Sequence, residues 1–357
     1  MSKAIVQDRL FQSIRELIEN AQQNIVRNVN TTMLFTYFEI GKMIIENEQQ
    51  GKQRADYAKM TIDKLSKDLT REFGKGYSTT NLEYFRRFYL LYHNRTPQSL
   101  IGKSNKSATK KQSSISQSVI GKSDYPFSLS WTHYIQLLKI EDEKERDFYE
   151  IEAAQNNWSV RELMRQFNAS LYERLALSRD KKTVKELAQK GQVIEKPTDA
   201  LKSHYVLEFL DLKEDNRYTE SELETAIINK LEHFMLELGK GFLFEGRQRR
   251  FTFEGDSFYV DLVFYNRLLR SFVLFDLKIG RLTHQDIGQM QMYVNYYDRM
   301  IKTKDENPTI GIILCKEENK TVVEFTLPEN NNTIFAKEYK AVLPSKADLK
   351  KQLKDLQ

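Results

Sequence analysis

Asp261, Asp276 and Lys278 sit inside the apolar runs FYVDLVFY and SFVLFDLK, where charge is least expected. Burying any of them unpaired would cost several kcal/mol, and even a buried pair rarely gains over a hydrophobic pair. Asp276 and Lys278 are two apart, so on a strand they share one face. Two strands paired in a meander bring Asp261 beside Asp276. Two carboxylates together suit a hard divalent cation, Mg²⁺ or Mn²⁺. Such an ion can neutralise a phosphodiester and lower the pKa of its water, and a lysine beside it can hold that water and balance the charge that develops. The competing explanation is a purely structural ion pair with Asp261 incidental.

The elements around these residues decide between the two. TESELETAIINKLEHFMLELGKG has helical spacing and stops at Gly239. QRRFTF, SFYVDLVFY and SFVLFDLK follow, separated by turns at Glu254-Gly255-Asp256 and near Asn266-Arg267. Thr283 then caps a helix through QDIGQMQMYVNYYDRMI, and PTIGIILC reads as a further strand. Helix, meander, helix and strand make an α/β layer structure with a mixed sheet. The tripeptide Asp-Leu-Lys also occurs at Asp211–Lys213 and at Asp348–Lys350. The last lies in a charged helical tail. The first looks apolar upstream, but no neighbouring strand brings it a second acid.

The first ~175 residues read as helices. ADYAKMTIDKLSKDLTREFG ends at Gly74-Lys75-Gly76, and Ser78 caps TTNLEYFRRFYLLY, the outline of a helix-turn-helix. Between Tyr84 and Ser123 there are eight basic residues and no acid, a pattern suited to a polyanion. The basic residues assigned to nucleic-acid contact are Arg86, Arg87, Lys110 and Lys111, with Arg247 and Arg249 on the first strand of the meander. Residues 96–124 form a Ser/Lys/Gln-rich loop holding two GKS tripeptides, but the glycine a phosphate loop needs is replaced by Pro97 and Ser116. Ser159 and Glu162 form a capping box behind Trp158. The domains expected are 1–178 helical, 179–199 linker, 200–345 α/β, and 346–357 a charged tail.

Composition agrees. The chain has 357 residues, 40% hydrophobic and 29% charged, with a net charge of +5. It has no apolar stretch near the ~20 residues of a membrane span and no apolar leader. One cysteine, Cys315, and five histidines without metal-ligand spacing leave no competing nucleophile or metal set. A cytoplasmic protein without membrane contact is expected.

Asp261 followed by Asp276-x-Lys278 resembles the PD-(D/E)XK nuclease motif. FYVDLVFYNR, FDLKIGRLTHQDIGQMQMYVNYYDR and WSVRELMRQFNASLYERL resemble the YhcG-like branch of those nucleases over nearly the whole chain. The resemblance implies an α+β protein of two domains: an all-α N-terminal region and a C-terminal restriction-endonuclease-like fold with a mixed central sheet. It implies that Asp261, Asp276 and the Leu277 carbonyl hold the metal, with Lys278 as the catalytic lysine. Gln289 and Tyr293 match a Gln-x-x-x-Tyr signature, four apart on one helical face. Glu224 matches the additional acid of catalysis and metal binding, with Glu220 and Glu222 as close rivals. Val260 departs from the motif's proline, which shapes backbone only. The function expected is Mg²⁺-dependent cleavage of DNA, in restriction or phage defence. The alternatives are an RNA nuclease and a non-cleaving nucleic-acid-binding or assembly protein on the same fold. The partners expected are DNA, a second copy of the chain, and restriction-modification or defence proteins.

Overall fold

The computed structural model describes Arg15 and residues 29–48, 55–95, 127–179, 181–212, 218–342 and 345–355. Lys110, Lys111 and Lys213 lie outside the described residues. The chain forms two compact units, Met1–Asp142 and Glu143–Gln357.

The first unit is helical. Residues 29–48 form one helix, and Ala55–Phe73 and Thr79–Tyr92 form two more, separated by a turn at Gly74. Ser78 caps the latter by accepting the Asn81 N–H, as its sequence position suggests. Aromatic side chains make its core: Tyr37 stacks on Phe85 at 4.3 Å, and Phe88 packs against Phe38, Phe127, Trp131 and Tyr134.

The second unit is an αβα sandwich on a six-stranded mixed sheet. Its strands are β1 (His204–Val206), β2 (Phe242–Phe253), β3 (Asp256–Asn266), β4 (Ser271–Arg281), β5 (Ile310–Glu317) and β6 (Ile334–Lys340), in the order β1-β6-β5-β4-β3-β2. β2, β3 and β4 form the expected antiparallel meander, whereas β4, β5, β6 and β1 run parallel. Helices Glu220–Asn229 and Leu231–Leu238 cover one face through Leu223, Ile227 and Phe234 against Leu262, Phe264, Val273 and Phe275. Helix His284–Tyr296 covers the other through Ile287, Met290 and Val294 against Val263, Leu274 and Ile313. Gly311 on β5 lets that helix come close: a Cβ there would lie 2.5 Å from Met290 Sδ.

By compactness the division falls earlier in the chain than the boundary expected at 178–200. Helices from Glu143 to Leu177 group with the sheet unit, not with the N-terminal helices. Arg174 supplies a reason, since its guanidinium is buried on Glu237 of the helix Leu231–Leu238. The segment expected as linker holds a helix, Lys181–Lys190, with Leu187 buried. The charged tail is a helix, Lys346–Asp355, that buries Leu349 and places Lys346 and Lys350 on Glu145. Ser159 and Glu162 do form a capping box, and the helix before β2 does end at Gly239, though it breaks at Lys230.

Candidate active site

β3 and β4 pair regularly from Asn266↔Ser271 up to Leu262↔Phe275. Beyond that pair the ladder stops, and a side chain takes over: Asp261 Oδ2 accepts the Leu277 N–H at 2.8 Å. This satisfies a backbone donor that would otherwise be stranded in the sheet. It also fixes Asp261 beside Asp276, so the two acids meet where the strands part.

The facing of β3 slips at the same point. Val260 packs in the layer under helix His284–Tyr296 and Leu262 in the opposite layer, although residues two apart on a strand share a face. The cause lies across the hairpin. Arg247 pairs with Leu262 and Arg249 with Val260, and Gln248 between them has φ of +47°, in the left-handed region. Both strands turn over together at this position. The turn aims Gln248 at Asp261.

Four acidic side chains and one base result. Asp276 is 2% exposed, and its Oδ2 lies 3.0 Å from Lys278 Nζ without a well-angled hydrogen bond. Burial pushes Asp276 up to about 7, helped by the Asp261 charge, although Lys278 opposes it. Burial also raises Asp261, against the Leu277 N–H, Lys278 and Gln248. For Lys278 burial works against the charged form, but Asp276 and then Glu220 and Asp261 hold its pKa above the ordinary value. Glu220 Oε2 is 3.7 Å from Lys278 Nζ. Glu224, one helical turn on, reaches Asp261 through Gln248: Nε2 donates to Glu224 Oε2 at 2.5 Å and to Asp261 Oδ1 at 3.1 Å. Glu222 is spent on its own helix, closing a capping box with Thr219. Among the described residues, no three His, Cys, Asp or Glu side chains converge as a ready metal cluster. The carboxylates brought together here are therefore the two aspartates, with Glu224 held on Gln248.

On the other face, Gln289 donates to the Tyr293 hydroxyl. Tyr293 is buried against Phe251, and burial followed by the nearby Asp276 charge pushes its phenol up to about 12. The pair thus borders the acids from the helix that follows the lysine strand. The basic residues are more dispersed. Arg86 is held by Glu48, its Nε 2.9 Å from Oε2, whereas Arg87 is exposed. Arg249 folds back on Glu245 at 2.5 Å, and Arg247 is exposed; Glu224 is raised by burial, against the Gln248 hydrogen bond and the Arg247 charge. Cys315 is buried and pushed up to about 12, chiefly by burial, which makes it inert as a thiolate.

Gln248 is the residue that sequence reasoning passed over. It stands among Arg247, Arg249 and Arg250, and nothing in its type marks it out. The signal available was register: counting back from the Glu254-Gly255 turn sets Gln248 directly across from Asp261.

Residues 198–354 match the family described as the YhcG PDDEXK nuclease domain, and residues 13–174 match the DUF1016 N-terminal domain. The chain is 39% identical over 353 residues, 97% of its own length and 93% of the other's, to the Escherichia coli (strain K12) protein named "Putative nuclease YhcG". Among solved structures, a repair endonuclease from Pyrococcus abyssi aligns over 36% of this chain and 50% of that one, at 16% identity and a TM-score of 0.25. A structure titled "Structure of EndoMS-dsDNA2 complex" aligns over 36% of this chain and 47% of that one, at 18% identity and the same TM-score of 0.25. With two domain matches that between them cover most of the chain and a relative alike from end to end, the protein belongs to the YhcG family, a DUF1016 N-terminal domain joined to a PD-(D/E)XK nuclease domain.

Proposed function

We propose that the protein is a Mg²⁺-dependent endonuclease that hydrolyses DNA phosphodiesters, with Asp261 and Asp276 as cation ligands and Lys278 beside the attacking water. One observation carries this: the Asp261 carboxylate replaces the β3–β4 ladder at Leu277 and so stands next to Asp276 and Lys278. The donor set suits Mg²⁺, which takes one or two carboxylates and completes its shell with water and substrate phosphate. Asp276 Oδ2, buried and 3.0 Å from Lys278 Nζ without a well-angled hydrogen bond, keeps lone pairs that a cation would satisfy. When bound, Mg²⁺ supplies Lewis-acid charge at the scissile phosphate. Asp261 and Asp276 would hold it, and the family resemblance implies the Leu277 carbonyl as a further donor. Lys278, charged and tethered by Asp276 and Glu220, holds water for in-line attack and balances the negative charge of the transition state. Gln289, half-buried and held by the hydroxyl of the buried Tyr293, borders the acids and is placed to offer its amide to the nucleic-acid backbone.

The helical first unit, with exposed Arg87, is proposed to bind DNA, and restriction or defence against foreign DNA is the setting the family resemblance implies. Among the described residues no helix is long and apolar enough to cross a membrane. The experiment is a cleavage assay with Mg²⁺, with Mn²⁺ and with EDTA, on supercoiled, linear, branched and single-stranded DNA and on tRNA. Metal-dependent DNA cleavage that Asp276→Ala abolishes supports the reading. Cleavage of tRNA alone moves the protein to the RNA nucleases, and no cleavage of any substrate favours a binding or assembly protein.

A further inference from the structure

We propose that Gln248 is a positioning residue of the nuclease site, its side-chain amide clamping Asp261 and Glu224 in the orientation in which Asp261 receives the cation. This rests on the reading of Asp261 and Asp276 as cation ligands. One NH₂ group donates to carboxylates from two separate elements, helix Glu220–Asn229 and strand β3. Asp261 is thereby held at both oxygens, Oδ2 by the Leu277 N–H and Oδ1 by Gln248. A carboxylate fixed at both ends cannot rotate, and each oxygen keeps a lone pair for a metal.

The backbone supports the assignment independently. Gln248 is a non-glycine residue in the left-handed region within a strand and is exposed, so its side chain packs no core that would repay the strain. What the conformation gains is the aim of the amide. Its chemistry also fits. Arg247, Arg249 and Arg250 surround it, yet an arginine at 248 would neutralise both acids and repel a divalent ion. An amide donates to both while carrying no charge, and it neither accepts nor releases a proton near neutral pH.

The test is Mn²⁺ binding to the full chain without nucleic acid, read by electron paramagnetic resonance, alongside thermal unfolding. Gln248→Gly removes the amide but suits the backbone. It is expected to weaken Mn²⁺ binding by about 10–100-fold with a midpoint no lower than wild type. Gln248→Met should weaken binding to the same degree. Gln248→Lys should abolish binding while the fold stands, because its ammonium takes the place of the cation. Wild-type Mn²⁺ affinity in Gln248→Gly and Gln248→Met overturns the inference if Asp261→Ala still loses the ion. Unchanged affinity in Asp261→Ala overturns the cation reading itself, and the clamp falls with it.

Discussion

Glu237 and Asp276 are both acids shut away from water, 0% and 2% exposed, in the same unit of the protein. Around Glu237 the fold supplies everything a carboxylate needs. Arg174 grips it with two guanidinium nitrogens, the Val206 N–H donates to Oε1 at 3.0 Å, and Lys202 and Arg165 stand close by. Arg174 in turn donates to the carbonyls of Ala169 and His204. Burial alone would raise the acid, but Arg174, Lys202 and Arg165 outweigh it and hold Glu237 at about 2. Around Asp276 the balance goes the other way: burial outweighs the Lys278 ammonium 3.0 Å from Oδ2 and leaves the acid at about 7. Burial raises both acids. The Glu237 cluster also ties the helix Leu171–Leu177 to the helix Leu231–Leu238 and to β1. An acid whose one neighbouring cation does not outweigh its burial gives little to the fold, which marks it as a candidate for function.

The sharpest way to break this comparison is to remove the charges and separate activity from stability. Asp276→Ala and Lys278→Ala are expected to lower DNA cleavage by about 10³-fold or more. Their folded stability should fall by less than that of Glu237→Ala, since Lys278 keeps Glu220 at 3.7 Å and Asp276, raised to about 7, is readily neutralised by a proton. Glu237→Ala should do the reverse. It strands Arg174 without its partner and should cost roughly 3–5 kcal/mol in urea unfolding, with cleavage by the remaining folded protein near wild type. Equal destabilisation by Asp276→Ala and Glu237→Ala would mean that both clusters serve the fold.

Acid sharpens the contrast further. The folded pKa of Glu237, about 2, lies below the ~4.3 of a free glutamate. Its contribution is therefore present above pH ~4.3 and is lost as pH falls toward 2, amounting to roughly 3 kcal/mol. Unfolding free energies measured from pH 5 down to pH 2 should fall steeply in wild type and more shallowly in Glu237→Gln, which starts less stable. Parallel slopes would show that the pair gives no ionic stabilisation.

How much of this was legible in the chain depended on how far apart the partners are. Asp261, Asp276 and Lys278 stand out because their neighbours are apolar and their strands are consecutive, joined by short turns. Ser78, Thr283 and Gly239 mark helix ends for equally local reasons. Arg174 and Glu237 were not legible, because each reads as a surface charge on a helix until the other, 63 residues away, is known. The same holds for the C-terminal helix, whose Lys346 and Lys350 look solvated but lie on Glu145, nearly buried on another helix. β1 was missed because its only partner is β6, at the far end of the unit, and only three of its residues pair. Gln248 was missed for a different reason: its importance lies in a backbone conformation that residue type does not reveal.

Asp211 gives the smallest effect and the control for both clusters. Its sequence context, YVLEFLDLK, imitates that of Asp276, and the tripeptide is identical. The structure removes the likeness: β1 ends at Val206, Glu208–Leu210 is a single 3₁₀ turn, and Asp211 follows it exposed. Its φ of +55° is left-handed, which an aspartate or asparagine tolerates better than other side chains. Charge and conformation can therefore be separated at this position. Asp211→Asn removes the charge and keeps the tolerance, so cleavage and the thermal midpoint should both match wild type. Asp211→Ala also leaves cleavage unchanged but should cost about 1 kcal/mol through the backbone alone. A loss of cleavage in Asp211→Asn at saturating Mg²⁺ would move the chemistry away from β4, and a destabilised Asp211→Asn would show that an exposed charge can matter to this fold as Glu237 does.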